Sequence, residues 1–214
     1  MKQYLSLLLL SSSVCFAATH GTRNAEYAVD EIFLNRWSPR AMSGAPIADT
    51  DLMCLFDAAR WAPSEYNSQP WHFVYVKRGT LHWNNLFDLL VPFNQEWCKS
   101  ASALVLVVSR NHYENGNLIR THSYDTGAAW QNLALQGSLR GLVVHGMSGF
   151  DYDRAKKNLH IPDGYTVEAM IAIGYPANPD VLPEGMRDGD KKRSGRKSVK
   201  EFTSEGIFHL NVKG

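Results

Sequence analysis

The sequence has few of the residues that build metal centres or disulfide frameworks. Only three cysteines occur among 214 residues, and no two of them form a Cys-x-x-Cys pair. The eight histidines show no His-Glu-x-x-His spacing and no other paired-ligand pattern. No metal site is therefore expected, and buried free thiols at Cys54 and Cys98 are favoured over a disulfide between them.

Common nucleotide-binding and hydrolase motifs are also missing. No Gly-x-Gly-x-x-Gly follows a strand-like segment, and neither a P-loop nor a Gly-x-Ser-x-Gly occurs. A Rossmann dinucleotide site is unsupported, and a hydrolase triad has no anchor. Charge of one sign is lacking too, because 22 basic and 21 acidic residues give a formal charge of +1. This balance gives no reason to expect nucleic acid or a membrane surface as a partner.

A long apolar run is absent, but a short one lies near the start of the sequence. Residues 1–17 comprise a positive start at Lys2, an apolar stretch and small residues ending at Ala17. This three-part pattern favours a secretory signal and an exported protein, while the run is too short to anchor the chain in a bilayer. The alternative is a cytoplasmic protein with a hydrophobic tail. Residues 25–204 are predicted to form one domain, and residues 205–214 a C-terminal tail.

Apolar periodicity predicts a fold built from helices and a few strands. Helices are expected at Glu26–Trp37, Leu81–Leu90, Thr121–Arg140 and Asp151–Leu159, and a further helix is expected with Asp49 or Thr50 as its N-cap. The helix 121–140 is expected to be buried almost all round, and Gly141 to end it. Strands are expected at 71–77, 103–109, 142–147 and 166–176. Residues 176–197 read as a long surface loop. This order indicates a mixed α/β or an α+β layer fold.

The segment Arg-Trp-Ser-Pro-Arg at 36–40 is the first candidate site. Arginine suits bidentate contact with phosphate, and the hydroxyl of Ser38 adds another donor. Exposed arginines are common, so a solvated charge pair beside a proline turn is the alternative.

A second candidate is the turn-rich segment 62–73. The amide side chains of Asn67 and Gln69 could bind a heterocycle that carries donors and acceptors. Ordinary turn chemistry explains Pro63 and Ser64 equally well, but it explains Gln69-Pro70-Trp71 poorly.

Two further clusters lie later in the chain. In residues 145–151, two glycines allow close approach of the backbone to a flat ligand, although a simple turn with Asp151 as helix cap is the alternative. Residues 191–202 hold six basic side chains, which usually form a solvated surface. The alternative with a functional role is that one of these arginines folds back and binds a phosphate.

Taken in order, these segments resemble the FMN-dependent nitroreductase family. The motifs are R-x-S-x-R, P-S-x-x-N-x-Q-P-W-x-F, G-A-A-x-Q-N-L, G-F-D, A-I-G-Y-P and a C-terminal basic arginine, from about Tyr27 to Phe202. The resemblance implies an α+β nitroreductase-like fold, with a mixed, mostly antiparallel sheet, helices on both faces and an intertwined homodimer.

The resemblance also implies roles for particular residues. Arg36, Ser38 and either Arg193 or Arg196 would bind the FMN phosphate, beside Trp37, and Arg40 would lie at the flavin N1 and O2 edge. Backbone groups of Met147, Ser148 and Gly149 would face flavin N5 and O4, with Asn94 at the pyrimidine edge. The loop that would reach the partner subunit's flavin comprises Pro63, Ser64, Asn67 and Gln69. Glu65 departs from the small hydroxyl residues frequent in that loop.

The implied activity is a ping-pong oxidoreduction. NADH or NADPH would donate hydride to FMN at N5, and a nitroaromatic, quinone or related small acceptor would follow into the same slot. No side-chain acid or base is implied, because the flavin carries the chemistry. The alternatives are a flavin-binding or storage protein without turnover, and a flavin-consuming or dehalogenating member of the same fold.

Overall fold

The structure is a computed structural model, and it describes residues 23–209. The secretory signal predicted over residues 1–17 lies outside the described residues, as does the end of the tail, residues 210–214. No helix within residues 23–209 combines the length and apolar character needed to cross a bilayer.

A four-stranded antiparallel sheet forms the centre of the described chain. Its strands are β1 (Trp71–Lys77), β2 (Ala103–Arg110), β3 (Val143–Met147) and β4 (Tyr165–Gly174), in the spatial order β1-β2-β4-β3. The expected α+β class is confirmed, although every strand pair in this sheet is antiparallel rather than mixed. The first seven residues of β2 are buried, as its continuous apolar run predicts for a strand covered on both faces.

Helices pack on both faces of the sheet. They are α1 (Glu31–Asn35), α2 (Asp49–Ala59), α3 (Asn84–Phe87), α4 (Pro92–Cys98), α5 (His122–Leu139), α6 (Tyr152–Asn158) and α7 (Glu184–Lys191). Alternate side chains of β2 point to opposite faces, so Val105 belongs to the hydrophobic core that includes residues of α2 and α5, while Leu104 belongs to the core that includes residues of α3, α4 and α6. Two hydrophobic cores result, one on each side of the sheet.

Three sequence expectations about helices were wrong. The helix expected at Glu26–Trp37 is only Glu31–Asn35, because Asp30 caps its start and Arg36 is already extended. The helix expected at Leu81–Leu90 is a single turn, Asn84–Phe87. The long surface loop expected at residues 176–197 contains the helix α7, and Asp190 of this helix is buried.

Two further expectations need correction. The N-cap of α2 is Ala48 rather than Asp49 or Thr50, and it makes no side-chain capping bond. The helix α5 is not buried all round, because Tyr124 and Leu139 are exposed on its outer side. Gly141 does follow its end in the left-handed conformation, as predicted.

Both described cysteines are free thiols. Cys98 is buried in the core as predicted, whereas Cys54 is only half-buried, because it lies on the side of α2 that faces Arg140.

Candidate functional site

A pocket of about 400 Å³ lies beside β3, where the sheet meets α5. Four of its wall residues were singled out in the sequence: Arg36, Ser38, Met147 and Ser148. The other wall residues come from α5, β3 and β4, namely Trp130, Gln131, Gly146, Ala169 and Ile171. Residues 36–38 and the end of β3 are therefore brought together, although Ser38 and Val144 are 106 positions apart in the sequence.

The floor of the pocket depends on a close approach between α5 and β3. A methyl group on Gly146 would come within 3.0 Å of the Trp130 ring. Real side chains rarely tolerate that distance, so glycine allows the indole to lie against the strand.

Ser38 and Arg36 are held at the pocket wall by a short chain of hydrogen bonds. The Ser38 hydroxyl donates to the backbone oxygen of Val144 at 3.1 Å, and Arg36 Nη1 donates to Ser38 Oγ at 3.2 Å. The serine is thereby tied to β3, and the guanidinium is tied to the serine. Because Arg36 carries several N–H donors, this bond leaves others for a ligand.

Four arginines converge beside this wall: Arg23, Arg36, Arg193 and Arg196. Burial lowers the pKa of Arg36, and the charge of Arg196 lowers it further. Burial is also the largest cause of the lowered pKa of Arg23, followed by the charges of Arg196, Arg193 and Arg36. The charges of Arg193 and Arg196 therefore act on Arg23, and that of Arg196 also acts on Arg36; we call these four guanidinium groups the arginine cluster.

Among the described residues, no carboxylate forms an ion pair with the arginine cluster. The Nε atoms of Arg23 and Arg193 are buried and have no hydrogen-bond partner. Concentrated positive charge with unused donors is the chemistry of a phosphate site. Arg193 also lies over the ring of Trp37, 5.5 Å from its centroid, so Trp37 borders the cluster.

Arg40 is not among the residues that line the pocket. Its guanidinium lies 5.9 Å from the ring centroids of both Phe93 and Trp97 on α4, and its buried Nε has no partner. The buried carboxylate of Asp190 accepts from the backbone N–H of Arg40 at 2.6 Å and of Ala41 at 3.0 Å. The described chain therefore does not place Arg40 with Arg36 and Ser38, and its role at the flavin edge stays a prediction.

His145 lies on the same side of the sheet as Arg40. Its Nδ1 is 3.0 Å from the backbone oxygen of Pro39, and its ring centroid is 4.7 Å from that of Trp97. Because a carbonyl can only accept, the Nδ1 must carry the proton of this bond. Burial lowers the pKa of His145, and the neighbouring charge of Arg40 adds to the effect.

The turn after β3 presents backbone donors to the pocket. The N–H groups of Ser148 and Gly149 have no hydrogen-bond acceptor among residues 23–209. The carbonyl of Gly149, in contrast, accepts from Val91 N at 3.1 Å and from Asn94 Nδ2 at 3.0 Å. Asn94 also accepts from Trp97 Nε1 at 3.2 Å, so its amide supports the turn from behind.

The loop at 63–70 lies at the opposite edge of the sheet. It leads into β1, whereas the pocket lies beside β3, and two strands separate these edges. At the usual strand spacing, β1 and β3 are roughly 14 Å apart. The described chain therefore does not bring Pro63, Ser64, Asn67 and Gln69 to the pocket formed by its own Arg36 and Ser38.

The loop at 63–70 is held in an unusual backbone conformation. Tyr66, Asn67 and Gln69 all have positive φ, at 48°, 54° and 46°. Non-glycine residues adopt this region at a cost of about 1–2 kcal/mol each. Ser64 Oγ accepts from Gln69 N at 3.0 Å, which closes the turn.

Two carboxylates, those of Asp125 and Glu65, join this loop to the start of α5. Asp125 Oδ2 accepts from the backbone N–H of Glu65 at 3.0 Å. The carboxylate of Glu65 accepts from the hydroxyl of Thr121 at 3.0 Å. Glu65 thus points inward as an anchor for the loop.

One serine, histidine and glutamate cluster resembles a hydrolase triad only in composition. Ser109 Oγ is 2.8 Å from His122 Nδ1 and donates to Glu168 Oε1 at 2.5 Å. Ser109 has no exposed surface, and Glu168 Oε1 lies 3.6 Å from His122 Nδ1, the same ring nitrogen that the serine contacts, instead of on the opposite side of the ring as in a triad. The arrangement stabilises the start of α5 and has no accessible nucleophile.

Together, an antiparallel sheet with helices on both faces and a pocket at its edge lined by Arg36 and Ser38 define an α+β ligand-binding fold. Residues 34–91 and 84–175 match the family model of the nitroreductase family. The chain belongs to the nitroreductase family.

Individual relatives agree with this assignment. A crystal structure of an oxidoreductase containing FMN is 43% identical, with a TM-score of 0.84, over 87% of this chain and 96% of the other. A Rhodopseudomonas palustris protein, provisionally named an NADH dehydrogenase/NAD(P)H nitroreductase, is 25% identical over 74% of this chain and 90% of its own. The oxygen-insensitive NADPH nitroreductase of Helicobacter pylori J99 is 44% identical over 29% of each chain.

Several residues of the site were missed by the sequence analysis. Trp130 and Gln131 lie within the G-A-A-x-Q-N-L motif, so a signal for them was available. Arg23 and Asp190 stand outside every motif, and only the folded chain shows their contacts.

Proposed function

We propose that this chain is an FMN-dependent oxidoreductase that takes hydride from NADH or NADPH and passes it to small acceptors such as nitroaromatics or quinones. The observation that carries the proposal is the arginine cluster at the wall of the pocket beside β3. Membership of the nitroreductase family and the similarity to an oxidoreductase containing FMN support it.

The residues at the pocket fit a flavin mononucleotide. Arg36, Ser38, Arg193 and Arg196 would hold the phosphate, whose charge the arginine cluster neutralises. The unpaired N–H groups of Ser148 and Gly149 can donate to acceptor atoms at the edge of a heterocycle. The indole of Trp130 and the apolar side chains of Ala169 and Ile171 offer surface to a flat ring.

When bound, FMN supplies a group that takes up and gives back a hydride. The protein contributes binding, orientation and exclusion of water. Pairing with guanidinium groups fixes the phosphate end, and the backbone donors orient the ring. This division of work explains why the pocket needs no acid or base side chain.

We further propose that a homodimer completes each site. The positive-φ loop at 63–70 lies at the sheet edge opposite the pocket, a position that favours contact with the pocket of a second copy over that of its own chain. An apolar groove between α2 and α5 supports this assembly, with Ala58, Trp61, Leu135 and Leu139 in its wall. Exposed apolar surface of this kind marks an interaction site.

The visible spectrum of the purified protein tests the proposed function. Supplied with FMN, the protein is expected to retain a yellow flavin after gel filtration. Addition of NADH or NADPH under argon should bleach the flavin, and a quinone or nitroaromatic should restore the colour. A preparation that stays colourless with excess FMN contradicts the proposal. A yellow protein that reduced nicotinamide cannot bleach indicates flavin binding without turnover instead.

A further inference from the structure

Two segments far apart in sequence hold each other beside the arginine cluster. Glu26 Oε2 accepts from the backbone N–H of Val199 at 3.0 Å and from the Ser198 hydroxyl at 3.3 Å. Glu26 and Val199 are 173 positions apart. We call segments 23–30 and 193–202, joined by these bonds, the clasp.

Each half of the clasp places one arginine against the end of α1. Arg23 Nη1 donates to the backbone oxygen of Arg36 at 2.8 Å, and both Arg23 Nη1 and Arg193 Nη1 lie 3.4 Å from the backbone oxygen of Leu34. These carbonyls end a helix, where cations are favoured. They engage only part of each guanidinium, and the buried Nε atoms of Arg23 and Arg193 remain without a partner.

Closing the clasp brings like charges together. Burial lowers the pKa of both Arg23 and Arg36, and the charge of Arg196 lowers both further; Arg193 and Arg36 add to the effect on Arg23. No carboxylate within the described chain forms a salt bridge with the four groups. The closed arrangement therefore favours a multiply charged anion at its centre.

We infer that Arg23 is a ligand of the FMN phosphate and that this phosphate locks the clasp shut. The inference rests on the proposed function and extends it to a residue outside every motif of the sequence. The hydrogen bond from Arg23 to the Arg36 carbonyl places its guanidinium beside the residue that lines the pocket. A phosphate monoester suits several arginines better than a carboxylate does, because it offers three strong acceptor oxygens and close to two negative charges.

Comparing FMN with riboflavin isolates the phosphate in a binding experiment. The full-length chain is titrated with each flavin while flavin fluorescence is followed. Arg23→Ala is expected to raise the Kd for FMN about tenfold or more, because a hydrogen bond to a charged group is lost. The Kd for riboflavin, which has no phosphate, should not change. Arg154→Ala, which removes an exposed arginine bonded to the carbonyl of Asp88, is the matched control and should change neither value.

The two possible failures are distinguishable in this titration. Equal weakening of FMN and riboflavin by Arg23→Ala, or no weakening of FMN, overturns the role of Arg23. Failure of the unmodified chain to bind either flavin overturns the proposed function itself.

Limited trypsin digestion tests whether the phosphate closes both halves of the clasp together. In the unmodified chain, FMN is expected to slow cleavage within residues 191–200, whereas riboflavin is not. In Arg23→Ala, saturating FMN should no longer protect residues 191–200, although the substituted residue lies in the other half. Mass spectrometry of the fragments locates the cuts. Equal protection of residues 191–200 by FMN with and without Arg23 would show that the two halves close independently. It would overturn the inference that the phosphate locks the clasp shut.

Discussion

Gly149 shows how a single missing side chain shapes the turn beside the pocket. A methyl group there would come within 2.6 Å of Asn94 Nδ2 and 3.1 Å of Val91 Cγ2. Asn94 cannot move away freely, because it also bonds the Gly149 carbonyl and the Trp97 indole. The glycine therefore accommodates α4 behind the turn rather than a ligand in front of it.

Gly149→Ala is therefore expected to reduce the free energy of unfolding by about 1–3 kcal/mol, the usual cost of overpacking a core. Urea denaturation followed by circular dichroism measures the change. Gly185→Ala is the matched control, because nothing lies within 4 Å of the added methyl group and it should cost nothing. Equal midpoints for Gly149→Ala and the unmodified chain would show that Asn94 gives way at no cost.

His145 links stability to pH through its burial. The folded chain holds it neutral with a lowered pKa, whereas the unfolded chain leaves it near its ordinary value of about 6.5. Below that pH the unfolded state binds more protons, so this stabilising contribution is complete above about pH 6.5 and is lost as the pH falls.

His145→Gln is expected to flatten the dependence of the unfolding free energy on pH between about 7 and 5, where one proton contributes at most about 1.4 kcal/mol per pH unit. Urea titrations at several pH values measure the slope. The exposed His82 provides the control, and His82→Gln should leave the slope unchanged. A slope that survives His145→Gln would assign the acid sensitivity to other groups.

At the scale of elements, the loop at 63–70 combines a strained backbone with a rigid base. Asp125 and Thr121 fix Glu65 from the start of α5, while Tyr66, Asn67 and Gln69 keep positive φ angles. Strain of this kind persists where surrounding contacts over-determine the conformation, and it is common at ligand sites. The proposed role of the loop is contact with the flavin of a second copy.

Asn67→Gly removes the side-chain amide of Asn67 but leaves the backbone conformation of the loop accessible. Glycine adopts positive φ freely, so the melting temperature should stay within a few degrees of the original while turnover with NADPH and a quinone falls. Asn67→Ala should lose turnover and also lower the melting temperature, because alanine is strained at φ 54°. Full turnover by the folded Asn67→Gly protein would show that the Asn67 amide only stabilises the turn.

The sequence predicted the central elements better than the peripheral ones, for a physical reason. β2 and α5 carry long apolar patterns because their burial is extensive, so their bounds were close to those observed. The apolar residues of 26–37 resembled a helical stripe, yet Tyr27, Val29 and Phe33 are exposed and α1 has no buried residue. α7 was missed because Met186 is its only apolar side chain, so no stripe of apolar residues marks it, and its one buried residue is the charged Asp190.

The same contrast applies to the site. Arg36 and Ser38 were predictable because they lie within a compact motif, and the structure places both at the pocket. Arg23 contacts a residue 13 positions away, and Asp190 contacts one 150 positions away. No local sequence motif indicates such contacts. Asn94 was singled out for a ligand contact, but its position behind the turn depends on the packing of α4 against residues 148–151.

At the scale of the whole molecule, the proposed homodimer explains why one chain leaves so much apolar surface on the α5 side. Leu139 is 67% exposed and lines the groove between α2 and α5 together with Trp61 and Leu135. Burying such side chains against a second copy would contribute about 1.5–3 kcal/mol each. Because the loop at 63–70 would serve the partner, separating the copies should also impair the flavin site.

Leu139→Arg places a charge in this groove, and it is expected to convert the dimer to a monomer in light scattering coupled to gel filtration. The monomer should retain FMN less tightly, since the second half of its site is gone. Leu81→Arg is the matched control, because Leu81 is 89% exposed and lies outside the groove, so the mass and the FMN content should not change.

If Leu139→Arg remains a dimer with full FMN content, the α2–α5 groove is not the interface. If the unmodified chain is already a monomer that binds and reduces FMN, each site is complete without a partner and the homodimer proposal is wrong.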